Sequence, residues 1–281
     1  MRPAARRSAA EAVLQLGQDD DATGPASFVS RQVSAPARAA APRPPPRRPI
    51  PHWSQEGQIL STTLLAPLLP QGTGTAEEFD DPAGVFLFPE EHAWIAKAMD
   101  RRRREFATVR HCARRALAEL GHPAVPLVPG RRRAPTWPEG VVGSMTHCDG
   151  YRAAAVACRT DVCSLGIDAE PHEPVPDGIV NMVALPGERR LLAELARHDS
   201  TVCWDRVLFS AKESVYKTWF PLVGEWLGFA DAEIRIDPRG PLFRARLLRE
   251  GRDRDGRRLH DFHGRWQVRR GLVLTAVAYQ P

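Results

Sequence analysis

Lysine is scarce in this sequence. Of 39 basic residues only Lys97, Lys212 and Lys217 are lysines, whereas alanine, proline and arginine are abundant. This bias suggests a GC-rich genome that uses arginine wherever a positive charge suffices. Lys212 and Lys217 nevertheless lie in one motif with Glu213, and an ammonium on a flexible stem does not replace a guanidinium fork at every site. We therefore interpret these two lysines as chemically required.

Cysteine and long apolar runs are also lacking, which excludes further classes of protein. The five cysteines are odd in number and show no C-x-x-C spacing, so we expect free thiols rather than a zinc site or a disulfide framework. The longest apolar run, at residues 63–69, is broken by Pro67 and is far shorter than the roughly 20 residues of a membrane helix. The N-terminal segment lacks the uninterrupted apolar core of a signal peptide. We expect a cytoplasmic protein with no membrane partner.

The net charge of +5 is concentrated near the N-terminus. Residues 1–52 hold eight arginines against four acids, and the remainder carries 31 basic and 30 acidic side chains. A nearly neutral body does not support a nucleic-acid-binding surface. Residues 1–58 are dominated by Ala, Pro, Arg and Ser, a composition that cannot bury a core, and we predict a disordered tail there.

Apolar periodicity in the rest of the chain predicts an α+β fold. The spacing predicts helices at residues 90–120, 188–197 and 205–220. It predicts strands at 141–146, 152–157 and 165–169, and a C-terminal hairpin of 264–269 with 272–279 that turns at Arg270-Gly271. Helix followed by strands occurs on each side of residue 163, which makes two α+β halves plausible.

Two acids mark the third predicted strand. Asp168 and Glu170 are two residues apart, so their side chains point to one face. Two carboxylates on one face repel each other unless a proton or a cation joins them. Hard oxygen ligands favour Mg²⁺, which is commonly bound through one or two carboxylates together with substrate phosphates. The alternative is a solvated strand end.

Two further groups stand beside these acids in the sequence. Glu213 and Lys217 are four residues apart on a predicted helix, where they form either a surface ion pair or part of a site on this aromatic-rich helix. His147 ends a predicted strand after Thr146, where it is either structural or a hydrogen-bond donor to a phosphate.

Three blocks, G-S-M-T-H at 143–147, G-I-D-A-E-P at 166–171 and F-S-A-K-E-S-V-Y-K at 209–217, occur in the order and approximate spacing of one enzyme family. Residues 102–114 and the A-P-T-W-P segment at 134–138 match it as well. The chain resembles the Sfp-type 4′-phosphopantetheinyl transferases, and most of all the actinobacterial branch that serves polyketide and nonribosomal peptide synthases. The resemblance covers about residues 64–280.

The resemblance implies a fold and a reaction. It implies two pseudo-symmetric α+β halves, residues 59–163 and 164–281, with the active site at their interface. The implied reaction transfers 4′-phosphopantetheine from coenzyme A to a serine of an acyl or peptidyl carrier protein and releases 3′,5′-ADP, with Mg²⁺ as cofactor. We expect a monomer.

The resemblance also implies roles for individual residues. Asp168, Glu170 and Glu213 would hold Mg²⁺, Glu213 would act as base toward the carrier serine, and Lys217 would neutralise charge on the pyrophosphate. The implied contacts with coenzyme A come from Arg102, Arg110, Gly130, Arg131, Arg132, Thr146, His147, Asp168 and Lys217. The family branch often has a lysine where this chain has Pro129, and one of the following arginines, 131 to 133, would supply that charge.

Two questions remain open at this point. The apolar residues of segment 219–229 either fill the core or, where exposed, bind the carrier protein. The charged motifs also admit a metal-dependent nuclease, since D-x-E with a later Glu and Lys builds phosphodiesterase sites, although the neutral body argues against one. A nucleic-acid binder that uses the basic tail would leave all three motifs unexplained.

Overall fold

The computed structural model of the protein describes residues 63–280, so the predicted tail at 1–58 lies outside the described residues. The helices are α1 (Pro89–Ile95), α2 (Asp100–Glu119), α3 (Ile179–Val183), α4 (Pro186–His198) and α5 (Trp204–Val223). The strands are β1 (Gly74–Glu78), β2 (Val141–Cys148), β3 (Tyr151–Cys158), β4 (Ser164–Pro171), β5 (Ala232–Ile236), β6 (Leu242–Leu247), β7 (Asp261–Arg269) and β8 (Leu272–Tyr279). Short 3₁₀ turns occur at Ala66–Leu68, Arg131–Arg133 and Phe229–Asp231.

The N-terminal part is a three-stranded antiparallel sheet covered by α2. The strand order is β1-β3-β2, and β2 and β3 form a hairpin that turns at Asp149-Gly150. One face of α2 buries apolar side chains, including Cys112, Ala116 and Leu117, against Val156 of β3. Gly143 lies under the indole of Trp137, where a Cβ would come within 2.8 Å of the ring. The glycine therefore allows the loop that carries A-P-T-W-P to pack on β2.

The C-terminal part is a five-stranded antiparallel sheet of order β4-β8-β7-β6-β5, with α5 on one face. The helix is buried on most sides, and Trp219, Phe262 and Ile234 are among the largest buried side chains of this core. Strands β7 and β8 are joined by the predicted Arg270-Gly271 turn, in which both residues have positive φ. Such a turn matches the twist of a two-residue hairpin.

The two sheets meet where β2 runs beside β4. The backbone N–H of Ile167 donates to the hydroxyl of Ser144 at 3.1 Å, and that of Ala169 donates to the hydroxyl of Thr146 at 3.1 Å. One hydrophobic cluster spans the junction and includes Tyr151 and Ile167. The edge of β4 is thus satisfied by side chains rather than by a neighbouring strand, which brings the G-S-M-T-H and G-I-D-A-E blocks together.

The predicted α+β fold is confirmed, with corrections of detail. Each half combines a long helix with an antiparallel sheet, but one sheet has three strands and the other five. The single helix predicted at 90–120 is wrong: the chain breaks between Ile95 and Asp100, which lets Ile95 and Leu87 pack on Phe106. Strands β1, β5 and β6 were not predicted. The boundary between residues 163 and 164 stays a prediction.

The described residues contain neither a disulfide nor a helix that could span a membrane. The five cysteines are all free thiols. Between residues 63 and 280 no helix has the length and apolar character needed to cross a membrane.

Candidate active site

Helix α5 approaches strand β4 closely, and Gly166 permits this approach. A Cβ at position 166 would overlap the carbonyl oxygen of Ser214 and lie 2.5 Å from Oγ1 of Thr218. Only glycine leaves room there. Side chains two apart on a strand share a face, so Asp168 and Glu170 point toward α5 as Gly166 does.

Lys217 on α5 binds Asp168 on β4. Its Nζ donates to Oδ1 of Asp168 at 2.8 Å and to the carbonyl of Ile167 at 3.0 Å. Burial acts to lower the pKa of Lys217, but the carboxylates of Asp168 and Glu213 outweigh it and raise the pKa above its usual value. The ammonium is therefore charged at neutral pH. Its side chain stays 26% exposed, which leaves it accessible to an anionic ligand.

Glu170 is held by Arg206, a residue that the sequence analysis did not single out. Nη1 of Arg206 donates to Oε2 of Glu170 at 2.9 Å. Nε and Nη2 donate to the carbonyls of Glu173 and Pro174, both at 2.9 Å. Both members of the ion pair are buried. The one signal in the sequence was the position of Arg206 directly before the apolar residues 207–209 of the predicted helix, since a charge buried there requires a partner.

The three predicted metal ligands lie within electrostatic reach of one another. Asp168, Glu170 and Glu213 are all buried. Burial and then the negative charge of Asp168 raise the pKa of Glu170 above its usual range, and the same two causes raise the pKa of Glu213. The opposing charges of Arg206 and Lys217 do not cancel this effect. A buried cluster of this kind is unfavourable without a proton or a cation.

The unused oxygen of Asp168 provides a test of whether Mg²⁺ fits. Oδ2 is buried, and within residues 63–280 no group donates a hydrogen bond to it. Within that range no three Asp, Glu, His or Cys side chains form a group that could hold a metal ion as they stand. Lys217 binds Oδ1 of Asp168, and Arg206 binds Glu170. The orphaned oxygen and the all-carboxylate donors nevertheless fit a hard cation such as Mg²⁺.

Thr146 lies between the two strands at this cluster. Its hydroxyl accepts from the N–H of Ala169 and donates to Oδ1 of Asp168 at 3.4 Å, a long hydrogen bond. The side chain is buried. The structure therefore gives Thr146 a place beside Asp168 and a role in joining the sheets, while a direct contact with coenzyme A stays a prediction.

His147 pairs with Arg102 at the end of β2. Nη1 of Arg102 lies 2.7 Å from Nε2 of His147. A guanidinium has no lone pair, so Nε2 accepts, and the ring proton is assigned to Nδ1. Burial and then the charges of Arg102 and Lys217 lower the pKa of His147 to about 3. The side chain is 35% exposed, which weakens the burial contribution, but the arginine contact alone favours the neutral ring.

Arg110, another of the predicted contacts with coenzyme A, is buried. Its Nε donates to the carbonyl of Leu127 at 2.8 Å, and its guanidinium lies over the ring of Phe106. Burial lowers the pKa of Arg110 to about 9. These contacts anchor the segment leading to Gly130, so a structural role is visible and the nucleotide contact stays a prediction.

The arginine loop at residues 130–133 lies against the end of α5. Arg131 approaches Gly224, and the guanidinium of Arg132 lies 5.5 Å from the centre of the Trp226 ring. Arg132 and Arg133 have φ of 49° and 60°, a conformation that costs energy for residues with a side chain and often marks functional loops. Which of Arg131, Arg132 and Arg133 supplies the charge missing at Pro129 stays a prediction.

Lys212 does not belong to the site, which corrects the interpretation of the two lysines. Its ammonium is buried, lies 2.8 Å from Glu188, and donates to the carbonyls of Phe229 and Ala232. Lys212 directly precedes Glu213, and adjacent residues on a helix face different directions, so Lys212 points away from Asp168. Lys212 ties α4 and β5 to α5.

Segment 219–229 fills the core. Trp219, Phe220, Leu222 and Leu227 are buried, which leaves them unavailable to a carrier protein. Trp226 is partly exposed and packs on the ring of Tyr216, whose centre is 4.7 Å away. Among the apolar residues of this segment, Trp226, Val223 and Phe229 are partly exposed.

Comparison with protein families identifies two adjoining regions. Residues 90–157 match the 4′-phosphopantetheinyl transferase N-terminal domain, and residues 164–275 match the 4′-phosphopantetheinyl transferase superfamily. The second region contains the β4–α5 contact, and the first contains the Arg102–His147 pair.

Individual relatives extend this similarity over most of the chain. The chain is 56% identical to 4′-phosphopantetheinyl transferase Svp of Streptomyces mobaraensis over 219 residues, which is 76% of this chain and 89% of that protein. It is 47% identical to Npt of Nocardia iowensis over 77% of this chain and 100% of that protein. It is 46% identical to PptT of Mycobacterium tuberculosis over 76% of this chain and 97% of that protein.

Proposed function

This chain belongs to the 4′-phosphopantetheinyl transferase family, in its actinobacterial branch, and we propose that the contact between β4 and α5 is the reaction centre of the transfer. The observation that carries the proposal is the Lys217–Asp168 contact beside the unbonded Oδ2 of Asp168. This contact sets a fixed positive charge next to an oxygen that still has capacity to bind a cation. A pyrophosphate with its metal requires that combination.

The reaction moves 4′-phosphopantetheine from coenzyme A to a carrier-protein serine. The serine oxygen forms a bond to the phosphorus nearer the pantetheine arm, the bond from that phosphorus to the bridging oxygen breaks, and 3′,5′-ADP leaves with the electron pair. Serine is a weak nucleophile and needs a proton acceptor. Glu213 fits this role because its buried carboxylate lies one helical turn from Lys217, at the contact between α5 and β4.

The second requirement is that the negative charge developing on the pyrophosphate be stabilised. The exposed edge of the Lys217 ammonium can face the departing oxygen while Asp168 fixes its position. Asp168, Glu170 and Glu213 are the residues that would hold Mg²⁺, which when bound supplies Lewis-acid stabilisation of the same charge. Arg206 then positions Glu170 by binding one of its oxygens.

The nucleotide end of coenzyme A fits the basic groups on the N-terminal half. Arg102 and His147 present N–H donors suited to the 3′-phosphate. Arg131 and Arg132, with the backbone at Gly130, lie at the end of α5 and suit the remaining phosphates. The acceptors we propose are carrier proteins of polyketide, nonribosomal peptide or fatty acid synthases. A monomeric, cytoplasmic enzyme stays our expectation from the sequence.

Intact-protein mass spectrometry tests the reaction. An apo carrier protein incubated with the enzyme, coenzyme A and Mg²⁺ should gain the mass of one phosphopantetheine group, and a chelator should prevent the gain. A carrier whose acceptor serine is replaced by alanine serves as control. If the apo carrier keeps its mass across several acyl and peptidyl carriers, the proposed site would lose its support.

A further inference from the structure

Glu105 on α2 lies among four basic side chains beside the proposed phosphate site. Its Oε1 accepts from Nε of Arg101 at 2.9 Å and lies 3.8 Å from Arg152. Its Oε2 lies 3.7 Å from Nη1 of Arg102 and 3.7 Å from Nε2 of His147. The side chain of Glu105 is only 11% exposed. One nearly buried carboxylate therefore lies beside two arginines of α2, one arginine of β3 and the ring of His147 on β2.

The basic side chains around Glu105 differ in whether they have another acidic partner. Arg152 donates two hydrogen bonds to Asp81, at 3.0 and 2.9 Å, so its charge is already neutralised without Glu105. Arg101 is more than half exposed and also reaches Asp149 at 3.5 Å. The other oxygen of Glu105 faces the Arg102–His147 contact, where no other acid of the described chain lies within 4 Å of either side chain.

We propose that Glu105 is a positioning residue that fixes Arg102 against the acceptor Nε2 of His147, so that this pair forms a grip for a phosphate monoester, the 3′-phosphate of coenzyme A. The inference rests on the proposed function of this pair. Arg102 lies on helix α2 and is 46% exposed, whereas His147 lies on strand β2. A free arginine side chain loses rotamer entropy when it is fixed on a ligand. An anchored guanidinium has already lost it and keeps further N–H groups for the ligand.

Positioning and simple charge repulsion predict opposite results, which makes the inference testable. A carboxylate near a phosphate opposes binding by its charge. If Glu105 acted by charge alone, Glu105→Gln would bind coenzyme A more tightly than the unmodified protein. If Glu105 positions the grip, the same variant binds coenzyme A less tightly, and the loss depends on the 3′-phosphate.

The experiment compares coenzyme A with 3′-dephospho-coenzyme A by isothermal titration of the full chain. The unmodified protein should prefer coenzyme A. In Glu105→Gln this preference should fall about fivefold or more, with 3′-dephospho-coenzyme A bound as before. Glu78→Gln is the matched control, because it removes an acid that pairs with Arg115 of the same helix away from the site. Arg101→Gln, which touches only the other oxygen of Glu105, should also keep the preference.

A double variant separates positioning from general disturbance. If Glu105 acts through Arg102, then Glu105→Gln should have no further effect on the preference in an Arg102→Gln background. Glu105→Asp keeps the charge but withdraws it from Arg102 and His147, and we expect an intermediate preference. This second variant keeps the inference testable should Glu105→Gln fold poorly, which melting temperatures would reveal.

The outcomes distinguish this inference from the proposed function. If the unmodified protein binds both ligands equally, the assignment of Arg102 and His147 to the 3′-phosphate fails. If it prefers coenzyme A and both Glu105 variants keep the full preference, only the positioning role of Glu105 is overturned. Tighter binding of coenzyme A by Glu105→Gln would also overturn it.

Discussion

Nζ of Lys217 lies 2.8 Å from Oδ1 of Asp168, although 49 residues separate the two in the sequence. The contact joins α5 to β4 at the point where Gly166 lets the two elements approach. It leaves the other oxygen of Asp168 without a hydrogen-bond partner. One carboxylate is therefore divided between a fixed ammonium and a position suited to a cation. Glu213 and Lys217 of α5 face this carboxylate, and replacing each of them should affect binding and turnover differently.

Glu213→Gln should lose turnover far more than affinity for coenzyme A. The substitution keeps the shape of the side chain but removes a proton acceptor and a negative charge, and loss of a general base typically costs about 10²–10⁴ in rate. Titration calorimetry with coenzyme A and initial rates with a carrier protein measure the two effects separately. Glu194→Gln on the exposed face of α4 is the control and should match the unmodified enzyme.

Lys217→Ala should weaken both binding and turnover. It removes the charge that faces the pyrophosphate and also frees Asp168 from its only ion pair within the described residues, so we expect kcat/KM to fall by roughly 10²–10³. Small and equal effects in Glu213→Gln and Lys217→Ala would instead indicate an ordinary ion pair on a helix.

Gly166→Ala should destabilise the protein because the added methyl group overlaps the backbone of α5 at Ser214. Overpacking of this kind costs about 1–3 kcal/mol, or more where backbone must shift. Urea unfolding measures the change in the free energy of unfolding. Gly187→Ala is the matched control: its nearest neighbour would be 3.8 Å away, and alanine suits the helix, so it should be neutral or stabilising by up to about 1 kcal/mol. A fully stable Gly166→Ala variant would contradict the close approach.

The buried acids should make the protein less stable as the pH rises when divalent cations are removed. Burial and the charge of Asp168 raise the pKa of Glu170 and of Glu213 in the folded state. Above the ordinary glutamate pKa of about 4.3, the folded protein then holds more protons than the unfolded chain, so its stability falls with pH until the raised values are passed. Urea unfolding at pH 5 and pH 8 with a chelator checks this.

Glu213→Gln provides the comparison for that pH series. The variant removes one of the two titrating groups, so its stability should fall less steeply between the same two pH values. Added Mg²⁺ should stabilise the unmodified protein more at pH 8 than at pH 5, since protons and cations compete for the same oxygens. Equal slopes in the variant and the unmodified protein would show that Glu213 titrates normally.

The sequence predicted the parts of the site that rest on local pattern. The i, i+2 acids of β4 and the i, i+4 pair of α5 have spacings that fix their faces once the element type is known. Whether the two sets meet depends on the close approach of α5 to β4, and a glycine at position 166 does not by itself predict that approach. Lys212 was misread for a related reason: its neighbour in the chain reaches the site, but helical geometry turns Lys212 into the core, where Glu188 neutralises it.

The residues that were missed are bound by long-range contacts. Arg206 meets Glu170 across 36 residues, and Glu105 meets His147 across the junction of helix and strand. No short pattern encodes such pairs. The strands β5 and β6 alternate apolar and charged residues, and they were overlooked although this signal was present. Strand β1 is short and acidic, and its Glu77 accepts hydrogen bonds from the hydroxyl of Tyr151 and the backbone N–H of Leu64, two contacts that no local pattern reveals.

Asp168→Asn tests the central claim most directly, because it keeps the size of the side chain and removes the charge that Lys217 and a cation share. Phosphopantetheine transfer to an apo carrier, followed by intact-protein mass spectrometry, should fall by more than the roughly 10–100-fold typical of outer partners of a metal site, while the far-ultraviolet circular dichroism spectrum stays unchanged. Asp177→Asn, on an exposed loop, should keep full activity. Full transfer by a folded Asp168→Asn variant at low Mg²⁺ would contradict the account and move the reaction centre elsewhere.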